Sequence, residues 1–301
     1  MTVPLRKRMR RELRVRALLL LRPLLSRLPH RLAAGLGGAA GWLAWYLAPR
    51  HRRAALEHLA LAFPDRPASW HRAVGRASFV NLGRSALEVL IAGRLDLARV
   101  VQLDPDSLAA LRAAYARGRG IVALSCHVGN WELLARRVGL EGIPIATVAR
   151  EAQDPRLTAI LQGARLQSGI ASLWRGDPGA IREMIRRIRA GGLVAVLIDQ
   201  DTDVAGHFVP FFGREAFTPR APADLAVRTG AEVIFARIHR VAPTLHRAII
   251  SRLPLPDSGD RDSDAKALIA AATAAIEGHV RAHPDEWVWM HARWRTQPAI
   301  R

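Results

Sequence analysis

The sequence predicts an α/β fold with a largely buried sheet, and three observations predict it. Short apolar runs at 121–126, 143–148, 193–198, 233–238 and 248–250 are bounded by glycine, proline or charge, the signature of strands covered on both faces. Amphipathic stretches of helical spacing lie between and after them, at 131–138, 156–167, 180–190, 222–229 and 264–282. The 301 residues, half of them hydrophobic, are enough to bury a full core. In such a fold the chemistry belongs beyond strand ends.

Ahead of the strands, the chain begins with a basic stretch carrying Arg6, Lys7, Arg8, Arg10, Arg11, Arg14 and Arg16. It resembles the start of a signal peptide. The apolar run at 17–21 is broken by Arg22 and Pro23, and no small-x-small cleavage site closes it, so the segment is expected to be retained. Residues 32–48 (LAAGLGGAAGWLAWYLA) are uncharged and carry Trp42, Trp45 and Tyr46. A spanning helix needs about 20 apolar residues, which makes this one borderline. Its flanks are basic on both sides, through Arg27, His30 and Arg31 and through Arg50, His51, Arg52 and Arg53. The expectation is a membrane-anchoring helix, short or lying in the interface; a glycine-rich core helix would show the same pattern. Residues 1–50 therefore form a basic, membrane-associated N-terminus and residues 51–301 the domain that carries the chemistry. Leu56, Leu59, Ala60 and Phe63 are helically spaced before Pro64, and a second helical run spans 70–91 with Asn81 and Glu88 inside it.

The formal net charge is +19, which calls for an acidic environment: nucleic acid, an anionic membrane leaflet or an acidic carrier protein. The arginines are spread along the chain and no recognition helix or finger is evident, so no nucleic-acid partner is expected. Cys126 is the only cysteine, which excludes an intrachain disulfide and suggests a reducing compartment. The eleven histidines show no H-E-x-x-H or comparable ligand spacing. No metal and no cofactor are assigned.

The most informative segment is IVALSCHVGNWELL, residues 121–134. A buried strand ends at His127, Gly129 permits a tight turn, Asn130 is a good helix N-cap, and Glu132 falls in the first turn of the next helix. A histidine before that helix is placed to fold back over a carboxylate in its first turn, where the helix dipole favours the ionised form. His127 is then a general base and Glu132 its orienting partner. A histidine that only satisfies a strand end, with Glu132 as a helix cap, is the alternative. Cys126 and His127 are neighbours whose side chains point apart at a strand end, so Cys126 is expected to be a small buried residue.

H-V-G-N-W-E resembles the H-x-x-x-x-[D/E] motif of glycerolipid and lipid A acyltransferases, and four further segments resemble the late lipid A acyltransferase family in order. RAALEHLALAFP, from Arg53, is similar to its N-terminal signature, with His58 in place of asparagine. AREAQDPRL, with Arg150 and Asp154, resembles its arginine-containing segment. The Asp199-Gln200-Asp201 triplet followed by FVPFFG and TPRAPADLA resembles a third block, and HPDEWVWMHARW, from His283, the closing signature.

The resemblance implies a mixed sheet flanked by helices, glycerolipid acyltransferase-like, with the motif at a strand end. It implies transfer of a fatty acyl chain from acyl carrier protein, or acyl-CoA, to a hydroxyl of a lipid A precursor or related glycolipid, at the cytoplasmic face of the inner membrane. Arg150 is expected to face phosphate or the acyl group, and Asp199 and Asp201 to face the site. Trp287, Trp289 and Trp294 are expected to be core or interfacial anchors. Phe208, Phe211 and Phe212 suit either an acyl tunnel or the core. Rival readings are a related acyltransferase acting on a phosphatidylinositol mannoside or an aminolipid, a thioesterase, and a nucleic-acid-binding protein.

Overall fold

The computed structural model describes residues 5–152 and 154–298. Four helices open the chain: α1 (Leu5–Leu25), α2 (His30–Leu47), α3 (Pro49–Ala62) and α4 (Ala68–Ile91). After a 3-10 turn come α5 (Leu97–Val100), β1 (Val101–Leu103), α6 (Pro105–Ala116), β2 (Ile121–Ser125), α7 (Trp131–Gly139), β3 (Ile145–Ala149) and α8 (Pro155–Leu166). The chain continues through β4 (Ile170–Trp174), α9 (Ala180–Arg189), β5 (Leu193–Leu197) and the strands β6 (Gly206–Phe211) and β7 (Arg214–Pro219). It closes with α10 (Ala221–Thr229), β8 (Glu232–Ala242), β9 (Leu245–Leu253), α11 (Arg261–Ala282) and a 3-10 turn at Pro284–Glu286.

Seven strands form one sheet in the order β1-β9-β8-β2-β5-β3-β4. All neighbours are parallel except β8 and β9, so the sheet is mixed. β2 is central and buried at every position, which is why its sequence is an unbroken apolar run rather than an alternating one. β6 and β7 make a separate antiparallel pair. The strand expectations hold to within a few residues. β1, β4, β6 and β7 lie outside the expected runs; β1 is three residues long, too short for a pattern.

Of the two forms expected for the anchor, a helix that spans the membrane is not found among the described residues, since no described helix is long and apolar enough to cross one. α2 uses its glycine face for protein packing: Gly37, Gly38 and Gly41 are buried against α4. A Cβ on Gly37 would come within 2.5 Å of the Gly83 carbonyl oxygen, and one on Gly41 would fall onto the Phe79 carbonyl. The two backbones touch because Gly37 and Gly41 of α2 and Gly83 of α4 carry no side chain at the crossing. Trp45 joins the core, edge-on to Phe79 with ring centroids 5.3 Å apart. Gly41→Val should therefore separate α2 from α4 and cost about 1–3 kcal/mol or more through overpacking. Chemical denaturation in fixed detergent measures it; unchanged stability would mean that α2 does not pack on α4 in solution.

α1 is tied to α8 by an ion pair. Asp154 caps α8 and bonds Arg156, and Arg156 donates from two nitrogens to Glu12 at 3.0 and 2.6 Å. Residues 1–4, the beginning of the expected basic stretch, lie outside the described residues.

Candidate active site

Strand register builds the site. β2 and β5 run parallel with Ser125 opposite Leu197, and Ile198 N–H bonds to the Ser125 carbonyl at 3.1 Å, carrying the pairing past the strand ends. Two residues further along each chain stand His127 and Asp199, which therefore meet. Asp199 Oδ1 accepts from His127 Nδ1 at 2.8 Å, and Asp199 Oδ2 accepts from the His127 backbone N–H at 2.7 Å. Trp287 Nε1 donates to the same Oδ2 at 2.7 Å.

The carboxylate is buried and has three donors. Burial by itself raises an acid's pKa, but the charge and hydrogen bond of His127, with those of Trp287, outweigh it and hold Asp199 down to about 2. An ionised carboxylate can only accept, so His127 carries its proton on Nδ1 and keeps the Nε2 lone pair for chemistry. Nε2 lies 3.2 Å from Gln200 Nε2, which also donates to His291 Nδ1 at 2.6 Å. Burial, then the neighbouring His127, lowers the His291 pKa to about 4, so His291 is a neutral acceptor at pH 7. Trp131 packs edge-on against the imidazole at 4.8 Å. Gln200 thus occupies the position where a substrate hydroxyl would have to hydrogen-bond.

Glu132 does not take the place expected of it. Its carboxylate forms a two-pronged pair with Arg165 of α8, one of the bonds being Arg165 Nε to Oε2 at 3.0 Å. Residues along a helix are rotated by about 100° from one to the next. Trp131 faces the imidazole, and Glu132 turns toward α8. The carboxylate bonded to His127 is Asp199, 72 residues away.

The other expected site residues separate. Asp201 is tied to the C-terminal segment, accepting from Thr296 N–H at 2.6 Å, Thr296 Oγ1 at 2.9 Å and Arg295 at 3.3 Å, so it does not share the His127 cluster. Arg150 is exposed just past β3, on the edge of the sheet from which His127 projects. Trp287, expected as core or an interfacial anchor, is both core and site: it is 1% exposed and its indole N–H binds Asp199. Phe211 packs on Phe212, Trp287 and Trp294, which makes it core. Phe208 packs on Phe217 across the β6–β7 pair. Cys126 is buried, and burial pushes its thiol pKa well up, as suits an inert small residue.

The loop itself is held from behind. Gly129 has φ +62°, and a Cβ there would come within 2.6 Å of the Ile238 carbonyl. Its N–H bonds to the Glu286 carbonyl at 3.1 Å, and Val128 bridges to Trp287. Asn130 caps α7 through Leu133 N–H and donates to Glu88 Oε2 at 3.0 Å. Glu88 is fully buried and also binds Arg240, His30 and His246.

An oriented imidazole whose Nε2 faces the Gln200 amide, at the carboxyl end of a central parallel strand, is equipped to take a proton from a hydroxyl that displaces that amide. Among known proteins the chain is 24% identical to the lipid A biosynthesis lauroyltransferase of Escherichia coli (strain K12) over 277 residues, 91% of this chain and 89% of that protein. It is 25% identical to the lipid A biosynthesis palmitoleoyltransferase of the same organism over 90% of this chain and 87% of that one. It is 24% identical to a phosphatidylinositol mannoside acyltransferase of Mycolicibacterium smegmatis (strain ATCC 700084 / mc(2)155), over 90% and 88% respectively. The family model for bacterial lipid A biosynthesis acyltransferases matches residues 7–296. Strand-end histidine, ordered motifs and near-complete match agree, and the chain belongs to the bacterial lipid A biosynthesis acyltransferase family.

Proposed function

We propose that this enzyme moves a fatty acyl chain from a thioester donor, acyl carrier protein in preference to acyl-CoA, onto a hydroxyl of a lipid A precursor or related glycolipid. The observation that carries the reading is the His127–Asp199 pair, because it leaves a basic Nε2 facing a replaceable Gln200 amide. The acceptor hydroxyl displaces that amide and gives its proton to Nε2. Its oxygen attacks the thioester carbonyl, and collapse expels the thiolate, which recovers a proton from the imidazolium. Asp199 stays ionised throughout and stabilises the cation formed on His127. Asp201 is retained in this reading as a brace of the C-terminal segment, and Arg150 as a contact for the anionic parts of the substrates. Purified protein incubated with acyl carrier protein loaded with labelled acyl chain should label a lipid A precursor and release little free fatty acid. Acceptor-independent release would make it a thioesterase instead. The Mycolicibacterium smegmatis relative supports a second acceptor class, the phosphatidylinositol mannosides, to be run in the same assay.

The reading includes attachment to the cytoplasmic face of an anionic membrane. Among the described residues, eleven of the seventeen exposed large hydrophobic side chains lie on α1 and α2, and exposed arginines such as Arg16, Arg27, Arg31 and Arg50 accompany them. Apolar residues interleaved with cations suit insertion at the headgroup level. Replacing Leu20 and Leu43 with glutamate is expected to weaken binding to phosphatidylglycerol-containing vesicles roughly tenfold or more. High salt alone should not release the wild type, because salt screens charge and leaves apolar burial intact. Release by a salt wash would remove apolar insertion from this account.

The donor preference has its own test. An acidic carrier protein is steered by a basic face, so its kcat/KM should fall with added salt more steeply than that of acyl-CoA. Equal or better use of acyl-CoA at every salt concentration would exclude steering of the carrier protein.

A further inference from the structure

Behind the loop that carries His127, three other histidines meet. His239 lies in β8 opposite Arg247 of β9, His279 is in the last turn of α11, and His283 caps that helix. Residues four apart share a helix face, and the strand supplies the third ring. One nitrogen from each lies within 4.8 Å of the others. His239 and His283 stack with centroids 3.9 Å apart, and His279 meets them at 5.7 and 5.0 Å. His239 and His279 are 8% and 6% exposed, while His283 is half-buried and leaves an approach from solvent.

Burial is the largest cause lowering all three pKa values, to about 4 for His239 and about 3 for His279. The rings are therefore neutral at pH 7 with lone pairs available, the form a metal requires. Nδ1 of His239 is buried without a hydrogen-bond partner. Nε2 of His279 donates to the Ile238 carbonyl at 3.2 Å, an outer contact of the kind that fixes tautomer and ring orientation in metal sites. The C-terminal end of α11 adds a negative pole. Arg237 and Arg247 act against a cation here, and Asp285 acts for one at His283.

We propose that His239, His279 and His283 bind a borderline divalent transition metal of the zinc class. Three imidazole nitrogens suit zinc, nickel or copper and not magnesium or calcium. Tetrahedral zinc with nitrogens at about 2.0–2.1 Å sets them about 3.3 Å apart, so the stacked pair opens by side-chain rotation and water completes the shell. Bound there, the metal joins β8 to α11 directly beside the Pro284–Glu286 turn. Ile238, whose carbonyl holds His279, also backs Gly129, and Glu286 holds the Gly129 N–H. The site braces the loop of His127 from behind and stands independently of the acyl-transfer reading.

The test is metal binding by the full chain in detergent, stripped with chelator and titrated with zinc chloride and, separately, cobalt chloride. The expected result is one equivalent of zinc with a Kd on the order of micromolar or tighter, a tetrahedral cobalt spectrum and a raised Tm. His283→Gln, whose half-exposed ring makes it the milder change, should keep the native circular dichroism and weaken binding roughly tenfold or more. His239→Asn should do the same. His291→Asn, at the Gln200 amide and outside the three-histidine cluster, should leave binding unchanged. Absence of stoichiometric zinc binding to the folded wild type would overturn the site. So would a loss that follows His291→Asn and spares His283→Gln.

Discussion

Replacing His127 with alanine is expected to lower kcat by about 10²–10⁴-fold, the usual contribution of a positioned general base, with the native circular dichroism retained. The imidazole is 17% exposed at a strand end, so its removal leaves little unfilled core. Asp199→Asn should have an effect of the same order through the tautomer. An amide at that position can present its N–H to Nδ1, which shifts the ring proton to Nε2 and removes the base from the hydroxyl. The low pKa of Asp199, about 2, keeps it ionised, so it adds no limb to the pH–rate profile in the neutral range. Glu132→Gln separates the two carboxylates. Glu132 is bound to Arg165 and not to the imidazole, so its loss should act through the α7–α8 contact and cost less kcat than Asp199→Asn. Single-turnover kinetics of the three purified variants decide the assignment. Near wild-type turnover by folded His127→Ala would end the mechanism, and a larger loss from Glu132→Gln than from Asp199→Asn would return the orienting role to Glu132.

Glu88→Ala is expected to be the most destabilising single change, at about 3–5 kcal/mol. The carboxylate is fully buried, and Arg240, itself only 6% exposed, donates to it from two nitrogens at 2.6 and 2.9 Å. Removing the acid leaves a buried guanidinium without its counter-charge, and it strips partners from His30, His246 and Asn130. Burial alone would raise the Glu88 pKa. The hydrogen bonds from His246, His30 and Arg240 together outweigh burial and push it far below the carboxylate range. A depressed folded pKa means that the stabilisation is fully present above the unfolded value, about 4.3, and drains only as pH falls below it. Denaturation midpoints of wild type and Glu88→Ala should therefore stay apart at neutral pH and converge in acid. A difference under about 1 kcal/mol at pH 7, typical of exposed pairs, would show that the network is not closed to solvent. Because Asn130 caps α7, the same variant should also lower activity below what its folded fraction explains.

Much of this was legible in the chain. Burial on both faces makes the central strands continuous apolar runs, so β2, β3, β5 and the core of β8 stand out from the helices without a structure. His127 was legible for a local reason: strand, glycine turn, N-cap and helix follow within ten residues, and such a sequence places its histidine at a strand end. The family motifs, met in order, supplied the expected chemistry and the correct mixed sheet. Tertiary structure alone decided the partner of that histidine. Glu132 is close along the chain but turns with its helix toward Arg165, whereas Asp199 is brought in by the parallel register of β2 and β5, and no local pattern records register between strands 72 residues apart. The same holds for Trp287, whose indole reaches Asp199 only because the C-terminal segment wraps the loop. It holds also for α2, where identical glycines serve a spanning helix or a backbone contact, and the backbone of Gly83 and Phe79 opposite them selects the second for that face.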